Sequence, residues 1–548
     1  FFVGIGRWLG GAAQRARYLC TSWRVGSGPR GQRAARGMGS SCSHAHQGES
    51  ESESIDSSSE SSIMVEGPGV CQKIKEIFVG GKKGIKVQLP HNEGKRIEKF
   101  IELERSGHLG AGTFGTVCKG KSKGTGVIYA VKCIQKERSC AVIQRHQLEQ
   151  EIRIMTKLDH PNIIKLFETF QDSRYVYLVM EMCEGGELFD RIVEEKHLPE
   201  AVAAEVMQQV FHAVRYTHSM DIVHKDLKPQ NLILRDKGAI KGNCVKVIDY
   251  GIAAEWKGRM LKLKSGTPDY EAPELVALRE GQTNEGYNKE VDVWACGVIL
   301  YVMLSGSLPF EGKDPLETAQ KIKSGELHWK GFDGVSADAK DLIGQLLVVN
   351  QHERATTDDA LKHTWILNMA PNASPVGCAD AVRNLQRFTH MNKLQQEALH
   401  LVARRMDDQK MEQLRQIFVK FDTKGNGTLN LLDLKACLAE AGVTDTETVQ
   451  SLAQALDADN SGFIDYTEFL AASLDHRRAS QEAVCWSAFR TFDQDDDGKI
   501  SRKELREVLQ ARDTEHHLDE ETINTILKDV DVDGDGFIDF NEFMKMLR

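Results

Sequence analysis

The sequence predicts an α+β protein with two differently built regions on one chain. From Glu98 to Leu367, a part rich in glycine and β-branched residues gives way to longer helical patterns, which suits a small β-rich lobe joined to a larger helical lobe. From Met411 to the end, an apolar helix, an Asp-rich loop with a central glycine and a second apolar helix recur at a regular spacing. This repeat predicts an all-α region of duplicated helix-loop-helix units.

Length and composition restrict the class of protein. The 548 residues allow two or three domains, and a net charge of -10 argues against a general nucleic-acid binder. The 12 cysteines are scattered without a C-x-x-C pair, so neither a disulfide framework nor a zinc site is indicated, and a reduced compartment fits best. No run approaches the ~20 apolar residues that a membrane span needs. We expect a cytoplasmic monomer.

The first 37 residues are rich in arginine, contain no acidic residue and have no methionine before Met38. They are either a transit peptide or upstream sequence that the working protein lacks. The second interpretation is favoured because Met38 opens M-G-S-S-C-S, which matches the myristoylation pattern with Gly39 as the acceptor. Cys42 is then placed for palmitoylation. We therefore interpret residues 1–37 as a non-native upstream or targeting segment.

Residues 38–97 are predicted to be an acylated, disordered extension. From Glu49 to Ser62 the chain is almost all serine, glutamate and aspartate, which cannot bury apolar surface. The basic stretch that follows is either a solvated strand or arm that packs on the next domain, or a second electrostatic contact with a membrane; it contains Lys73, Lys75, Lys82, Lys83 and Lys86. Together with the acyl sites, it predicts attachment to the cytoplasmic face of a membrane surface.

Several motifs follow one another between residues 98 and 367. The segment from Gly110 to Val117 is glycine-rich, and such a loop brings backbone N–H groups close to phosphates. Alone it is weak evidence, because dinucleotide folds use a similar spacing. Lys132 then ends a strand-like Tyr-Ala-Val-Lys run, and Glu151 lies on a helical pattern from which it can pair with Lys132. Further along come His224-Lys225-Asp226-Leu227-Lys228-Pro229-Gln230-Asn231, Asp249-Tyr250-Gly251 and Ala272-Pro273-Glu274.

In this order the motifs resemble the signature set of the eukaryotic protein kinases. The resemblance implies a two-lobed protein kinase domain over 98–367 that uses ATP and Mg²⁺. The Lys-Pro-Gln context after Asp226 resembles kinases that act on serine and threonine of protein substrates. Asp226 would accept or orient the substrate hydroxyl proton, and Lys228 would neutralise the γ-phosphoryl group. Asn231 and Asp249 would hold magnesium, while positioning and charge neutralisation lower the barrier.

The same resemblance implies a nucleotide site between the lobes. Glu181 to Cys183 would form the adenine-binding hinge, with Met180 guarding the pocket behind it. Glu187 would contact the ribose or a basic substrate side chain. The residues predicted to bind the nucleotide are Leu109, Gly110, Gly112, Gly115, Val117, Ala130, Lys132, Glu151, Met180, Glu181, Cys183 and Glu187.

Two residues depart from the family pattern. Tyr250 replaces a phenylalanine, which is a conservative change. Lys225 replaces an arginine, and this weakens a bidentate phosphate clamp because lysine is only a point charge. Between Asp249 and Gly266 the only hydroxyl side chain other than that of Tyr250 is Ser265. Activation by phosphorylation of this segment is therefore not expected, and another switch is required.

Three loops near the C-terminus have the EF-hand spacing of calcium ligands, with glycine at position 6. Calcium is the expected ion because the side-chain ligands at positions 1, 3, 5, 9 and 12 all carry oxygen, and position 7 adds a backbone carbonyl. The predicted ligands are Asp457, Asp459, Ser461, Phe463, Asp465 and Glu468 in loop 2; Asp493, Asp495, Asp497, Lys499, Ser501 and Glu504 in loop 3; and Asp531, Asp533, Asp535, Phe537, Asp539 and Glu542 in loop 4.

Loop 1, from Asp422 to Asp433, departs from this pattern. Lys424 puts a cation where a ligand belongs, and Asp433 is one methylene too short for easy bidentate closure. We predict that loop 1 is a structural partner that packs against loop 2. Residues 411–548 are then a calcium-sensor domain of four EF-hand units, of which the first is degenerate.

A kinase domain followed by four such units resembles the calcium-dependent protein kinases of plants and protists. In that family the segment between the domains, here 368–410, is an autoinhibitory helix that the calcium-loaded sensor captures or repositions; a plain linker helix is the alternative. Its apolar positions are Val382, Leu385, Phe388, Leu394, Ala398 and Leu401. The resemblance implies a calcium-activated serine/threonine kinase. The alternative function, a catalytically inactive calcium-responsive scaffold, would require the loss of Lys132, Asp226 or Asp249, and all three are present.

Overall fold

The computed structural model describes residues 91–93, 96–112, 115–136, 142–256, 258, 260–261, 266–370, 379–406, 411–475, 481–510 and 520–548. These residues fall within one compact unit, Glu66–Arg548. The predicted acylation sites Gly39 and Cys42, the basic stretch and Ser265 lie outside them. Within the described ranges, no helix combines the length and the apolar character that crossing a membrane requires.

The small lobe is a six-stranded sheet with the spatial order β1-β5-β6-β4-β3-β2, in which only the pairing of β1 with β5 is parallel. Along β4, Tyr129 and Val131 enter a small core, and strand periodicity turns Ala130 and Lys132 to the opposite face. The strands are β1 (His91–Glu93), β2 (Ile101–Gly112), β3 (Gly115–Ser122), β4 (Ile128–Gln135), β5 (Leu166–Gln171) and β6 (Tyr175–Met180).

The large lobe is mainly helical and follows β6. Helix α1 (Val142–Lys157) lies before β5 in the chain, and its Glu151 pairs with Lys132 on β4 of the small lobe. The helices of the large lobe are α2 (Leu188–Glu195), α3 (Glu200–Ser219), α4 (Pro273–Arg279), α5 (Glu290–Ser305), α6 (Pro315–Ser324), α7 (Ala337–Leu346), α8 (Thr357–Lys362) and α9 (Thr364–Met369). Two short antiparallel ladders complete the lobe: β7 (Ile222–Val223) with β10 (Ala254–Glu255), and β8 (Leu232–Leu234) with β9 (Val245–Val247).

The centre of the large lobe is helix α5, which is apolar on nearly every side and buried along most of its length. It ends at Gly306, whose left-handed backbone (φ 70°) suits a residue without a Cβ. Side-chain oxygens of Asp314, Ser336 and Thr356 cap α6, α7 and α8. The two lobes together are called the two-lobed domain below.

The segment between the domains forms two helices, α10 (Ala379–Phe388) and α11 (Lys393–Arg405). The expectation of a single helix is therefore wrong. The break arises because Asn392 starts a new helix through a capping box with Gln395. The apolar face was nevertheless predicted, since Leu385, Phe388 and Leu394 enter the same buried cluster as the C-terminal helices.

The C-terminal domain is built from paired helix-loop-helix units, which confirms the predicted architecture. Loops 1 and 2 are joined by β11 (Thr428–Leu429) and β12 (Ile464–Asp465), and loops 3 and 4 by β13 (Lys499–Ile500) and β14 (Ile538–Asp539). Loop 1 is therefore the structural partner of loop 2, as predicted. The helices are α12 (Glu412–Phe421), α13 (Leu431–Glu440), α14 (Thr446–Leu456), α15 (Tyr466–Ser473), α16 (Glu482–Phe492), α17 (Arg502–Gln510), α18 (Glu520–Val530) and α19 (Phe540–Met546).

Candidate functional site

The first cluster of charged residues lies between β4, α1 and the segment after β9. Lys132 Nζ is 2.5 Å from Glu151 Oε1 and 3.2 Å from Asp249 Oδ1. Burial alone would lower the pKa of Lys132, but the charges of Glu151 and Asp249 outweigh burial and raise the pKa well above its usual value. The structure thus confirms the predicted pairing of Lys132 with Glu151 and adds a contact with Asp249 that was not predicted, and the lysine is firmly cationic.

The second cluster surrounds Asp226 in the large lobe. Lys228 Nζ donates to Asp226 Oδ2 over 2.7 Å, and Asn231 Nδ2 donates to the Asp226 carbonyl oxygen over 2.7 Å. Thr267 Oγ1 donates to Asp226 Oδ1 over 2.6 Å and accepts from Lys228 Nζ over 2.8 Å. Both carboxylate oxygens of Asp226 are therefore held in place.

Thr267 and Asp292 were not named by the sequence analysis. Asp292 is buried and accepts backbone N–H bonds from His224 and Lys225, each over 2.8 Å, so it fixes the loop that carries Asp226. The Gly-Thr-Pro run around Thr267 follows the segment of Asp249 and was a usable signal. Asp292 gave none, because an acid in the first turn of an apolar helix is common.

The glycine-rich segment forms the hairpin of β2 and β3. Gly110 pairs with Val117 and Gly112 with Gly115, while Thr113 and Phe114 lie outside the described residues. Leu109 is exposed at the start of the hairpin. A Cβ added to Gly115 would lie 2.1 Å from the carbonyl oxygen of Cys133, so the close approach of β3 to β4 requires glycine there.

The predicted hinge follows β6 directly. Ala130 pairs with Met180 across β4 and β6, which places the end of β6 beside the strand of Lys132. The carboxylate of Glu181 lies 2.9 Å from the buried Lys246 Nζ, so this side chain is held by the protein itself. Cys183 is partly buried against the large core. Glu187 directly precedes α2 as its N-cap residue. Burial, and next the charge of the nearby Asp190, raise the pKa of its carboxyl.

Acidic groups converge in each of the three calcium loops predicted to bind. Carboxylate oxygens of Asp457, Asp459 and Glu468 lie within 4.8 Å of one another in loop 2. In loop 3 the group is made of the same positions, Asp493, Asp495 and Glu504. In loop 4 it is made of Asp531, Asp533 and Asp535, at positions 1, 3 and 5. Such clusters of hard oxygen atoms suit Ca²⁺.

The loop backbones have the turn that calcium binding needs. Gly462, Gly498 and Gly536, at position 6, have φ values of 81°, 88° and 84°. Their N–H groups donate to the first aspartate of the same loop over 2.8, 3.0 and 2.8 Å.

The ends of the loops coincide with the starts of the following helices. In loop 2, Asp465 caps α15 and forms a capping box with Glu468. Asp539 and Glu542 do the same for α19, and Ser501 and Glu504 exchange equivalent bonds at α17. The ligands expected at positions 9 and 12 therefore also fix the direction of the helix. The remaining predicted ligands lie within these loops: Ser461, Phe463, Asp497, Lys499 and Phe537.

Loop 1 uses its acids for internal bonds. Asp422 accepts N–H bonds from Asn426 and Gly427 over 3.0 and 2.7 Å. Thr423 Oγ1 donates to Asp433 Oδ1 over 2.7 Å. Burial, the largest influence, raises the pKa of Asp422 to about 6. These contacts are consistent with a loop that is folded by hydrogen bonds.

Known proteins resemble both the two-lobed domain and the C-terminal domain of this chain. A family model described as a protein kinase domain matches residues 103–366, and one described as an EF-hand domain pair matches 411–474 and 482–548. The chain is 38% identical over 460 residues to calcium-dependent protein kinase 5 of Plasmodium falciparum, covering 82% of this chain and 78% of that protein. It is 36% identical over 476 residues to calcium-dependent protein kinase 32 of Arabidopsis thaliana, with 86% of each chain covered.

Proposed function

The chain belongs to the calcium-dependent protein kinases, and from that premise we propose how its own residues carry out the reaction. It is a calcium-activated serine/threonine kinase that uses ATP and Mg²⁺ to phosphorylate proteins. The observation that carries the assignment of roles is the pair of charged clusters around Lys132 and Asp226, each of which is built from residues of the kinase motifs.

In our proposal Asp226 orients the substrate hydroxyl and receives its proton. Its carboxylate is already fixed by Lys228 and Thr267, so little reorganisation accompanies the reaction. Lys228 neutralises charge on the γ-phosphoryl group. Lys228 Nζ lies 2.7 Å from the Asp226 carboxylate that takes the proton. The group that contacts the phosphoryl and the group that accepts the proton therefore hold each other in position.

Nucleotide binding is assigned to the small lobe and the hinge. Lys132 binds the α- and β-phosphates, and Glu151 orients its ammonium. Asp249 and Asn231 are the residues that would hold Mg²⁺, which supplies charge neutralisation between the phosphates. The hairpin glycines let backbone N–H groups reach the phosphates, and the backbone of Glu181 to Cys183 is left for the adenine.

The most direct test measures transfer of the γ-phosphoryl group to a basic test peptide. Activity should be high with calcium and low with chelator, and it should require ATP and Mg²⁺. Equal rates in calcium and chelator would contradict calcium activation. The absence of transfer under every condition would instead favour the scaffold interpretation.

We further propose that the junction is the autoinhibitory element. Helices α10 and α11 bury an apolar face against the C-terminal domain, which is the arrangement expected of a junction captured by the loaded sensor. Without calcium, the same face would be free to restrain the two-lobed domain. Hydrogen exchange of residues 379–406 in the full chain should slow when calcium is added. Identical exchange in calcium and chelator would contradict capture of the junction.

Membrane attachment through Gly39 and Cys42 is proposed from the sequence. One myristoyl chain binds membranes only marginally, with a constant of roughly 10⁴ M⁻¹, so a second acyl chain at Cys42 is expected to be needed. In cells expressing the protein with Met38 as its first residue, Gly39→Ala should move it from the membrane fraction to the cytoplasmic one. An unchanged distribution would rule out acylation as the anchor.

We also propose that the protein acts as a monomer. Support comes from the chain itself, which carries the phosphate-transfer residues and the calcium loops on one polypeptide. Sedimentation in calcium and in chelator should give the mass of one chain, and a dimer in either condition would contradict the proposal.

A further inference from the structure

One residue of the two-lobed domain is bonded directly to a calcium loop of the C-terminal domain. The carboxylate of Asp159 accepts the backbone N–H of Thr467 on Oδ2 and the Thr467 hydroxyl on Oδ1, both over 2.8 Å. All of these atoms are in buried residues. Thr467 is position 11 of loop 2 and directly precedes Glu468, which is expected to close the loop around calcium.

The surroundings of Asp159 keep it ionised. Burial would raise its pKa, but Lys165, Arg404 and the two bonds from Thr467 outweigh burial and lower it. Lys165 also lies over the ring of Tyr466, with Nζ 4.9 Å from the ring centre. Arg404 of α11 donates to the carbonyl oxygen of Leu166 over 3.0 Å. Helix α11 of the junction and loop 2 therefore both contact the same short segment, residues 159–166.

Asp159 acts as a second cap of helix α15. Asp465 accepts the N–H of Glu468, and Asp159 accepts the N–H of Thr467 one residue earlier. A helix leaves its first N–H groups without partners inside the helix, and acidic acceptors there stabilise its start. Half of this capping comes from a residue 308 positions away in the chain. The direction of Glu468 therefore depends on the two-lobed domain.

Loop 1 contacts the same domain through its backbone. A Cβ on Gly427 would lie 2.6 Å from Tyr216 Cδ2 and 2.7 Å from His160 Cδ2, and one on Gly425 would lie 2.3 Å from His212 Nδ1. The Gly425 carbonyl oxygen and His212 Nδ1 are 3.3 Å apart. The backbone of loop 1 therefore packs closely on α3 and on His160. A side chain at Gly425 or Gly427 would push the two surfaces apart.

Both contacts belong to one rigid pair of loops. Thr428 pairs with Asp465 and Leu429 with Ile464, so loop 1 cannot leave α3 without moving loop 2. Asp159 itself lies two positions after the end of α1, the helix that carries Glu151. A continuous set of contacts therefore joins loop 2 to the partner of Lys132.

We propose that the two-lobed domain is a structural part of the second calcium site: Asp159 holds Thr467, loop 1 serves as the docking surface, and calcium in loop 2 and domain docking stabilise each other. The inference rests on the proposed calcium binding of loop 2 and deepens it by naming the residue that regulates it. By linkage, calcium in loop 2 strengthens docking by the same factor by which docking strengthens calcium binding, so a change that loosens docking lowers the calcium affinity of loop 2.

The test isolates loop 2 in the full chain. Glu504→Gln and Glu542→Gln remove the closing ligands of loops 3 and 4, and calorimetry with Ca²⁺ then reports the affinity of loop 2. In this background Asp159→Ala should weaken binding by about tenfold, and Thr467→Val, which keeps the backbone donor, by about threefold. Asn541→Val, at the exposed position 11 of the silenced loop 4, controls for a general effect of the substitution on the C-terminal domain, and it should change nothing.

A double-mutant cycle separates the contact from local effects. Once Asp159 is alanine, Thr467→Val should have little further effect. If Thr467→Val weakens binding equally in both backgrounds, or if Asp159→Ala changes the affinity by less than twofold, the proposal is overturned. It is also overturned if the isolated loop 2 binds no ion. The two proposals can also fail separately. If the chain shows no calcium-dependent phosphate transfer but the cycle still shows coupling, the proposed activity is rejected and this inference stands.

The docking role of loop 1 has its own pair of variants. Gly427 and Gly442 both have positive φ, 73° and 85°, but a Cβ on Gly442 would meet nothing within 4 Å. Their alanine variants therefore share the same backbone strain and differ in contact with the two-lobed domain. Gly427→Ala should weaken calcium binding at loop 2 by several-fold more than Gly442→Ala. Equal effects would show that the surface of loop 1 plays no part in docking.

Discussion

The hydroxyl of Thr267 donates to the carboxylate of Asp226 over 2.6 Å. This bond ties the segment that follows Asp249 to the residue assigned to the substrate proton. We expect Thr267→Val to reduce kcat while Thr267→Ser, which keeps the hydroxyl, retains most of it. A loss in both variants would point to packing of the threonine methyl group as the cause.

Asp226→Ala should lower turnover by a factor of about 10² to 10⁴, because the variant has no acceptor for the hydroxyl proton. ATP affinity should stay close to that of the parent, since Lys132 and Glu151 are untouched. The measurements are peptide phosphorylation and nucleotide binding. Asp333→Asn, at an exposed acid of the large lobe, is the control. Near-normal turnover in Asp226→Ala would reject its assigned role.

The three closing glutamates should each contribute to activation by calcium. Moving a chain from 1% to 99% active needs about 5.5 kcal/mol of differential binding. Divided among three ions this is about 1.8 kcal/mol each, or roughly twentyfold tighter binding to the active form. Glu468→Gln, Glu504→Gln and Glu542→Gln should therefore raise the calcium concentration for half-activation or lower its steepness.

Asp433→Asn is the matched control for those variants and should change neither quantity. Its carboxylate is engaged by Thr423 and the backbone of Asn430 within loop 1. Calorimetry should count three strongly bound ions per parent chain. A count of four would show that loop 1 binds calcium.

Gly115→Ala should destabilise the small lobe, because the new methyl would lie 2.1 Å from the carbonyl oxygen of Cys133. Forcing β3 away from β4 is expected to lower the free energy of unfolding by about 1 to 3 kcal/mol. Gly110→Ala is the control, since its added Cβ meets nothing within 4 Å. Thermal unfolding without nucleotide compares the two, and equal midpoints would contradict the strand contact.

Lys225 should make stability rise with pH in the alkaline range. Burial lowers its pKa from 10.5 to about 8. Below pH 8 the Lys225 side chain is protonated in both the folded and the unfolded chain, and the folded chain is destabilised because the charge is buried. Between pH 8 and 10.5 the unfolded chain binds more protons, so stability rises. Lys225→Met should be more stable at pH 7 by at most about 3 kcal/mol. That advantage should shrink by pH 10, whereas Lys330→Met at an exposed site should show no such trend.

The residues that meet across the cleft could be predicted because motif order carries their roles. Lys132 meets Glu151 as expected, and the acids of the calcium loops converge as predicted, whereas the contact of Lys132 with Asp249 was not predicted. In both cases a short stretch of sequence fixes the local geometry: a strand alternates its side chains, and a glycine at positive φ closes a loop.

The contacts between domains could not be predicted in this way. Asp159 follows a helix and Thr467 lies inside a calcium loop, and nothing in either stretch signals the other across 308 positions. The break at Asn392 was missed for a different reason, because the apolar pattern continues through it and hides the capping box. Docking between domains depends on the shapes of the two surfaces, and hydrophobic periodicity in the sequence does not indicate shape.

The flat contact of Gly427 on Tyr216 and His160 has a consequence for biosynthesis. The two-lobed domain is complete by Met369, and α15, which closes the docked pair of loops, ends at Ser473. At about 5 to 20 residues per second, the ribosome needs roughly 5 to 20 s to add that stretch. The newly folded two-lobed domain therefore presents an uncovered aromatic and imidazole face to the cell for that interval. A stalled or truncated translation product that ends before α15 would keep this face permanently exposed.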